Sequence, residues 1–123
     1  MTVPEVIALQ EKFDSFTAHW QPKVIGELNG QHVKIAKISG EFVWHAHEHE
    51  DELFLVTKGT LLMRFRDGER RVGVGEIVIV PRGVEHLPVA EGGEVWIMMF
   101  EPVGTLNTGN VVNERTVAQL EHV

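Results

Sequence analysis

The sequence predicts an all-β protein, a single antiparallel barrel preceded by a short helix, and three features predict it. Stretches that alternate apolar and polar residues, the period of a half-buried strand, recur between residues 23 and 100. Turn dipeptides separate them at Asn29-Gly30, Asp67-Gly68 and Gly92-Gly93, each a strong short hairpin signal. The length, 123 residues, suits one core and one domain.

Taken in order, Pro4 to Phe16 reads as a helix, because Val6, Leu9, Phe13 and Phe16 recur at intervals of three and four and make one apolar stripe to pack on the barrel. Lys23 to Leu28 and Gln31 to Ser39 alternate as strands joined at Asn29-Gly30. Glu52-Leu53-Phe54-Leu55-Val56 is a third strand, and Thr60 to Arg66 and Glu69 to Val74 form a hairpin around Asp67-Gly68. Val78-Ile79-Val80 is a short apolar run of the kind buried on both faces. His86 to Ala90 and Glu94 to Phe100 form the last hairpin around Gly92-Gly93. About eight or nine strands fit, and closing them into a barrel removes exposed edges. From Glu101 the composition turns to Pro, Gly, Thr and Asn, which predicts a tail that wraps the barrel, with a last strand at Val111-Val112 and a frayed end. The chain therefore divides into a helical arm (1–20), a barrel (21–100) and a tail (101–123), all one domain without internal repeats.

Composition excludes several functions. There is no cysteine, so disulfide and thiolate chemistry are absent and any metal must be held by nitrogen and oxygen. The formal net charge is −7, and Arg64, Arg66, Arg70 and Arg71 are spread over a hairpin, so nucleic acid is not an expected partner. No stretch approaches the roughly 20 apolar residues that span a bilayer, and Met1-Thr-Val-Pro-Glu5 lacks the basic, apolar start of a leader. A cytoplasmic protein without a membrane partner is expected. A core this small also favours pairing with a second copy, so a homodimer is expected.

The chemistry concentrates in two segments, His45-Ala-His47-Glu-His49-Glu-Asp51-Glu52 and Pro81-Arg82-Gly83-Val84-Glu85-His86. In an extended chain His45 and His47 point to one side. A polar turn at 48–51 returns Glu52 beside His47, and the turn set by Pro81 and Gly83 delivers His86 on a fresh extended segment. Three neutral imidazoles and one carboxylate suit a divalent first-row ion, Fe, Mn, Ni, Co or Zn, leaving a charge of about +1 and open positions for a small oxygenated ligand.

These segments resemble the two motifs of the cupin superfamily. His45, His47, Glu52 and Gly59 fit the first, and Gly75, Pro81, Gly83 and His86 fit the second; Gly40 stands one residue closer to His45 than usual, and Ala90 replaces the usual asparagine. Trp20 to Lys23, Gly40 to His45 and Asn107 to Gly109 are similar to segments of small single-domain bacterial cupins, often labelled mannose-6-phosphate-isomerase-like. The resemblance implies a double-stranded β-helix, or jelly-roll, barrel with metal ligands at His45, His47, Glu52 and His86. It does not carry a reaction with it.

Other residues are weighed beside the four. His49 shares their parity but falls in the turn, and is read as a neighbour of the site or an exposed residue. Glu48, Glu50 and Asp51 read as a solvated turn. Lys37 is an inward base or anion holder if Ile35 and Ser39 face the interior, and an ordinary solvated lysine, the favoured reading, if Ala36 and Ile38 do. Lys37 and His49 are thus the weak catalytic candidates. Val43, Phe54 and Val56 should line an apolar cavity with either Trp96, Met98 and Phe100 or Val95, Ile97 and Met99. Trp44 points outside, His19, His32 and His122 read as surface residues, and Gly104 to Gly109 is either a cap on the barrel mouth or a plain turn. The expected function is a metal-dependent enzyme of isomerase, lyase or dioxygenase type acting on a small molecule. The alternatives are a non-catalytic binding or sensing protein, and a phosphosugar isomerase, which needs at least two inward cations among Lys37, Arg64 and Arg82.

Overall fold

A computed structural model describes residues 2–123. Among them, α1 (Leu9–Asp14) is followed by β1 (Lys23–Leu28), β2 (Gln31–Glu41), β3 (Glu52–Phe65), β4 (Gly68–Val72), β5 (Ile77–Val80), β6 (His86–Pro102) and β7 (Glu121–His122). Together the strands make one sheet in the order β4-β3-β6-β2-β1-β7, with β5 paired to β3. The inner face encloses one core that includes Ala36, Ile38, Phe54, Val56, Leu61, Met63, Val95 and Ile97.

Two long strands curl this sheet. β3 and β6 run antiparallel from Leu53↔Phe100 to Phe65↔His86, with register shifts between Val56 and Thr60. Inward residues are even-numbered before the shift in β3 (Phe54, Val56) and odd-numbered after it (Leu61, Met63). In β6 the inward set likewise passes from Pro88 and Ala90 to Val95, Ile97 and Met99. Each bulge thus moves the inward set by one position, which keeps both halves of a bent strand facing the same interior. Gly59 sits at the bend with φ +80°, where a Cβ would lie 3.0 Å from the Glu94 carbonyl oxygen.

Several expectations are corrected. Gly92-Gly93 is no hairpin: both residues take positive φ inside the continuous strand β6, forming its bulge. Glu52 to Val56 and Thr60 to Arg66 likewise belong to one continuous bulged strand, β3, so there are seven strands among the described residues, and β4, β5 and β7 leave edges that hydrogen bonding does not close. β5 is not buried on both faces, since Ile77 and Ile79 are more than half exposed. The helix is only six residues long, because Val6 is exposed and the apolar stripe finds a surface only from the half-buried Leu9 to Phe13, stacked on Trp96 at 4.7 Å between ring centroids. Val111-Val112 is not a strand; Val111 closes a turn on Thr108, and β7 near the end of the tail pairs parallel with β1 rather than fraying.

Candidate metal centre

β2 and β3 are joined by the segment that carries the two histidines, and backbone bonds hold it on both sides. His45 and His86 exchange a pair of N–H···O bonds at 3.1 and 2.9 Å, and the Gly83 amide donates to the His47 carbonyl at 2.7 Å. On the other side the Ala46 amide donates to Asn110 Oδ1 at 2.9 Å, while the Asn110 amide donates to the Ala46 carbonyl at 3.0 Å. With Ala46 gripped in this way, its two neighbours point together to the interior. Glu52 enters from the first residue of β3 and His86 from the first of β6.

The four side chains are all buried, and one ligand atom from each lies within 4.8 Å of the others. Glu52 Oε1 is 2.9 Å from His47 Nε2 and 3.2 Å from His86 Nε2. None of these three atoms has a hydrogen-bond partner among the described residues. Buried polar atoms without partners are costly, and nitrogen lone pairs turned with a carboxylate oxygen to a common point are what a cation completes. The tautomers agree: Nδ1 of His45 donates to the Val43 carbonyl and Nδ1 of His86 to the Val84 carbonyl, both at 2.9 Å, leaving each Nε2 free to ligate. Burial, then the adjacent His86, pushes the His45 imidazolium down to about 4, so the ring is neutral at ordinary pH. Burial opposes the charge on Glu52, but the facing Glu101 carboxyl and the adjacent His47 and His86 imidazoles outweigh it and hold the carboxyl well below its usual range.

A cavity of about 450 Å³, counting its open mouth, leads to this cluster. Its walls include Ala36, Ile38, Phe54, Ile97 and Met99, so the Val95, Ile97, Met99 set faces inward, while Phe42 rather than Val43 lines the cavity beside His45. The mouth carries Trp20, stacked on Phe42 at 4.7 Å, and Asn107. Trp20 has φ +61°, a conformation that costs energy in a bulky residue and here directs the indole over the cavity. Asn107 is fixed by bonds to Arg115 and Val117, and it is the one residue of the turn-rich 104–109 segment that lines this cavity.

Lys37 and His49 are not brought to the cluster. Ala36 and Ile38 face inward, which sends Lys37 to the opposite side of β2. Even so, Lys37 is not a solvated lysine: its amine donates to the Phe16 carbonyl at 2.6 Å and lies 4.7 Å from the centroid of the Trp96 ring, sealed under the arm. His49 is 82% exposed in the turn. Arg82, also exposed, pairs with Asp51, which is therefore a tie between the 48–51 turn and the Pro81 turn rather than merely solvated. Arg64 and Arg66 stack on the outward face of Trp44, and His32 is half-buried, edge-on to His122.

The inward lysine is Lys34, two positions before Ala36 on the same face. Its amine donates to Glu101 Oε1 at 2.8 Å and to the Thr105 carbonyl at 3.3 Å, and both side chains are almost fully buried. Glu101 lines the cavity on the strand next to Glu52, and the two carboxyls face each other. Burial first, and the facing Glu52 second, push Glu101 well above its usual range, with Lys34 opposing. In the folded strands Lys34 shares the face of Ala36 and Ile38, and Glu101 that of Ile97 and Met99.

A Cupin domain profile matches residues 31–100, and the chain belongs to the cupin family. It is 46% identical to a cupin-2 domain protein from Shewanella frigidimarina, over 79% of this chain and 94% of that one, with a TM-score of 0.77. Protein NMB1881 from Neisseria meningitidis is 27% identical over 80% and 99% of the two chains, with a TM-score of 0.73. An uncharacterized protein, YdbB, of Bacillus subtilis is 40% identical over 63 residues, 50% of this chain and 56% of that protein. The matched region thus spans little more than half of that curated relative.

Proposed function

We propose that this cupin holds a divalent first-row metal ion on His45, His47, Glu52 and His86 and acts as an enzyme on a small oxygenated molecule that enters the apolar cavity. The observation that carries the reading is the set of buried, partnerless ligand atoms meeting at one end of that cavity. Bound there, such an ion polarises an oxygen of the molecule and favours loss of its proton. The chain's own contribution is to keep the His45 imidazole neutral, to fix Nε2 of His45 and His86 inward through the Val43 and Val84 carbonyls, and to exclude water with Trp20, Phe42 and Asn107.

The inner wall bears on the alternatives. Glu101 and Asn107 add polar groups beyond the four ligands, which favours chemistry of isomerase, lyase or dioxygenase type over passive binding or sensing. A phosphosugar isomerase lacks support, because Lys37, Arg64 and Arg82 are all absent from the cavity wall and Lys34 is committed to Glu101. A homodimer is part of the same proposal: β5 pairs with β3 alone, and its free edge with the exposed Ile77 and Ile79 offers a second copy a strand edge and apolar side chains to cover. Among the described residues no helix is long and apolar enough to cross a membrane, and a cytoplasmic location is proposed on the composition.

Elemental analysis of protein purified without an affinity tag or chelator, with aerobic and anaerobic spectra, tests the reading. A stoichiometric transition metal is expected. Iron with an oxygen-sensitive spectrum selects the dioxygenase type, and zinc, nickel, cobalt or manganese the isomerase or lyase type. Protein that neither retains nor takes up any of these ions overturns the metal site.

A further inference from the structure

β2, β6 and β3 lie side by side: Glu101 of β6 lies beside the start of β3 at Glu52, and Lys34 of β2, paired with Met99, is its diagonal inward neighbour. No other ion pair between described residues is so completely enclosed, with side chains 1% and 2% exposed. Lys34 is closed off on its far side by the turn at 102–105, whose Thr105 carbonyl accepts from it while the Thr105 hydroxyl donates to Pro102. Its charge is therefore spent on Glu101 Oε1 and is not offered to the cavity. Glu101 Oε2 is different: it is buried, it belongs to a residue lining the cavity, and no N–H or O–H of the described residues reaches it. Only the Glu52 carboxyl faces it, and on the proposed function Glu52 serves a cation. The donor for Oε2 then has to arrive with the ligand.

We infer that Glu101, held by Lys34, is a binding residue for the ligand of this cavity, accepting a hydrogen bond from a hydroxyl adjacent to the oxygen that faces the metal ligands. The inference rests on the proposed function and narrows it. Apart from the metal ligands and Asn107, whose amide is committed to Arg115 and Val117, the remaining wall is aliphatic and aromatic, and no Lys or Arg lines it. The ligand class is therefore a small, largely apolar or aromatic molecule with two neighbouring oxygens, at least one of them a hydroxyl, such as a catechol or an enediol. Phosphate esters and polyhydroxylated sugars, whose many polar groups would stay unpaired on this wall, are excluded.

The test uses zinc-loaded protein, in which a catechol is not oxidised, and 4-nitrocatechol as a coloured probe, with 4-nitroanisole as a counterpart that lacks a hydroxyl donor. Two variants are compared with the wild type. Glu101→Gln is the minimal change, but it leaves Lys34 without its anion. Lys34→Met with Glu101→Leu removes both charges and leaves neither buried alone, which protects the fold. Loss of one buried hydrogen bond predicts that 4-nitrocatechol binds roughly 10-fold more weakly to the double variant, with zinc content and 4-nitroanisole binding unchanged. Equal 4-nitrocatechol affinity in wild type and double variant overturns the inference, as does a wild type that does not bind the probe. Loss of zinc from the double variant also overturns it, since Glu101 would then act by positioning Glu52. If the wild type takes up no zinc, the metal reading fails by itself, and the same titration in metal-free protein judges Glu101 separately.

Discussion

Lys34 and Lys37 stand three residues apart on one strand, both buried, and face opposite sides of the sheet. On the inner side Lys34 meets a carboxylate, Glu101, at the level of Glu52. On the outer side Lys37 meets a backbone carbonyl and two aromatic rings. The inner lysine is one charge in a balanced set, so removing it strands another charge. The outer lysine fastens the arm to the barrel, so removing it loosens a contact and leaves the cavity untouched. Burial alone does not distinguish these roles; the partner does.

The comparison is broken most severely at the inner side's own centre. Replacing His47 or Glu52 with alanine is expected to reduce bound metal from stoichiometric to a small fraction, with the circular dichroism of the fold retained, while Lys37→Met leaves metal content at the wild-type level. Metal retained in both inner variants, measured by elemental analysis, would remove the site. Next in size is Lys34→Met. It leaves Glu101 buried beside Glu52 without its cation and is expected to lower stability by about 3–5 kcal/mol in urea titrations, most of it recovered by adding Glu101→Leu. A recovery of less than half would show that the pair supports the fold and not only itself.

pH provides a third probe of the inner side. His45 is harder to protonate in the folded protein than in the unfolded chain, 6.5 falling to about 4. Between these values the unfolded chain binds the extra proton, so the stability contribution is complete above about pH 6.5 and is lost as pH falls towards 4. The metal-free protein is expected to lose about 3 kcal/mol over that window. A His45→Gln variant should show a correspondingly flatter profile in thermal melts. The smallest effect belongs to the outer side: Lys37→Met is expected to cost about 1 kcal/mol, the worth of one hydrogen bond, and to increase proteolysis of the arm before residue 20. A cost as large as that of Lys34→Met would erase the distinction between the two faces.

The same contrast explains what the sequence revealed. Convergence of His45, His47, Glu52 and His86 was legible, because an extended segment fixes parity and two turn-forming motifs fix the returns. Lys34 and Glu101 were not singled out, because β2 has apolar residues on both faces. Its outer face is covered too, by an arm whose Phe13 and Phe16 pack near Trp96 and Lys37, so the two-residue period that would mark Lys34 as inward is erased. The Gly92-Gly93 signal was misleading for a related reason. Local chemistry allows a hairpin there, but pairing with β3 along the length of β6 makes the continuous bulged strand the better use of both glycines. Helix length failed in the same way, since Val6 has the right spacing and no surface to meet.

The clasp between Asn110 and Ala46 bears on the order in which the site is made. Synthesis delivers His45, His47, Glu52 and His86 before it delivers Asn110, and Gly109, which must lie against the Ala46 carbonyl where a Cβ would collide, comes equally late. A growing chain therefore exposes all four ligands while the loop that aims two of them is still free to move. On the proposed function, the geometry that would favour one ion over another is completed only after the tail has been made and has folded back, which would place metal choice among the last events in the life of the nascent protein.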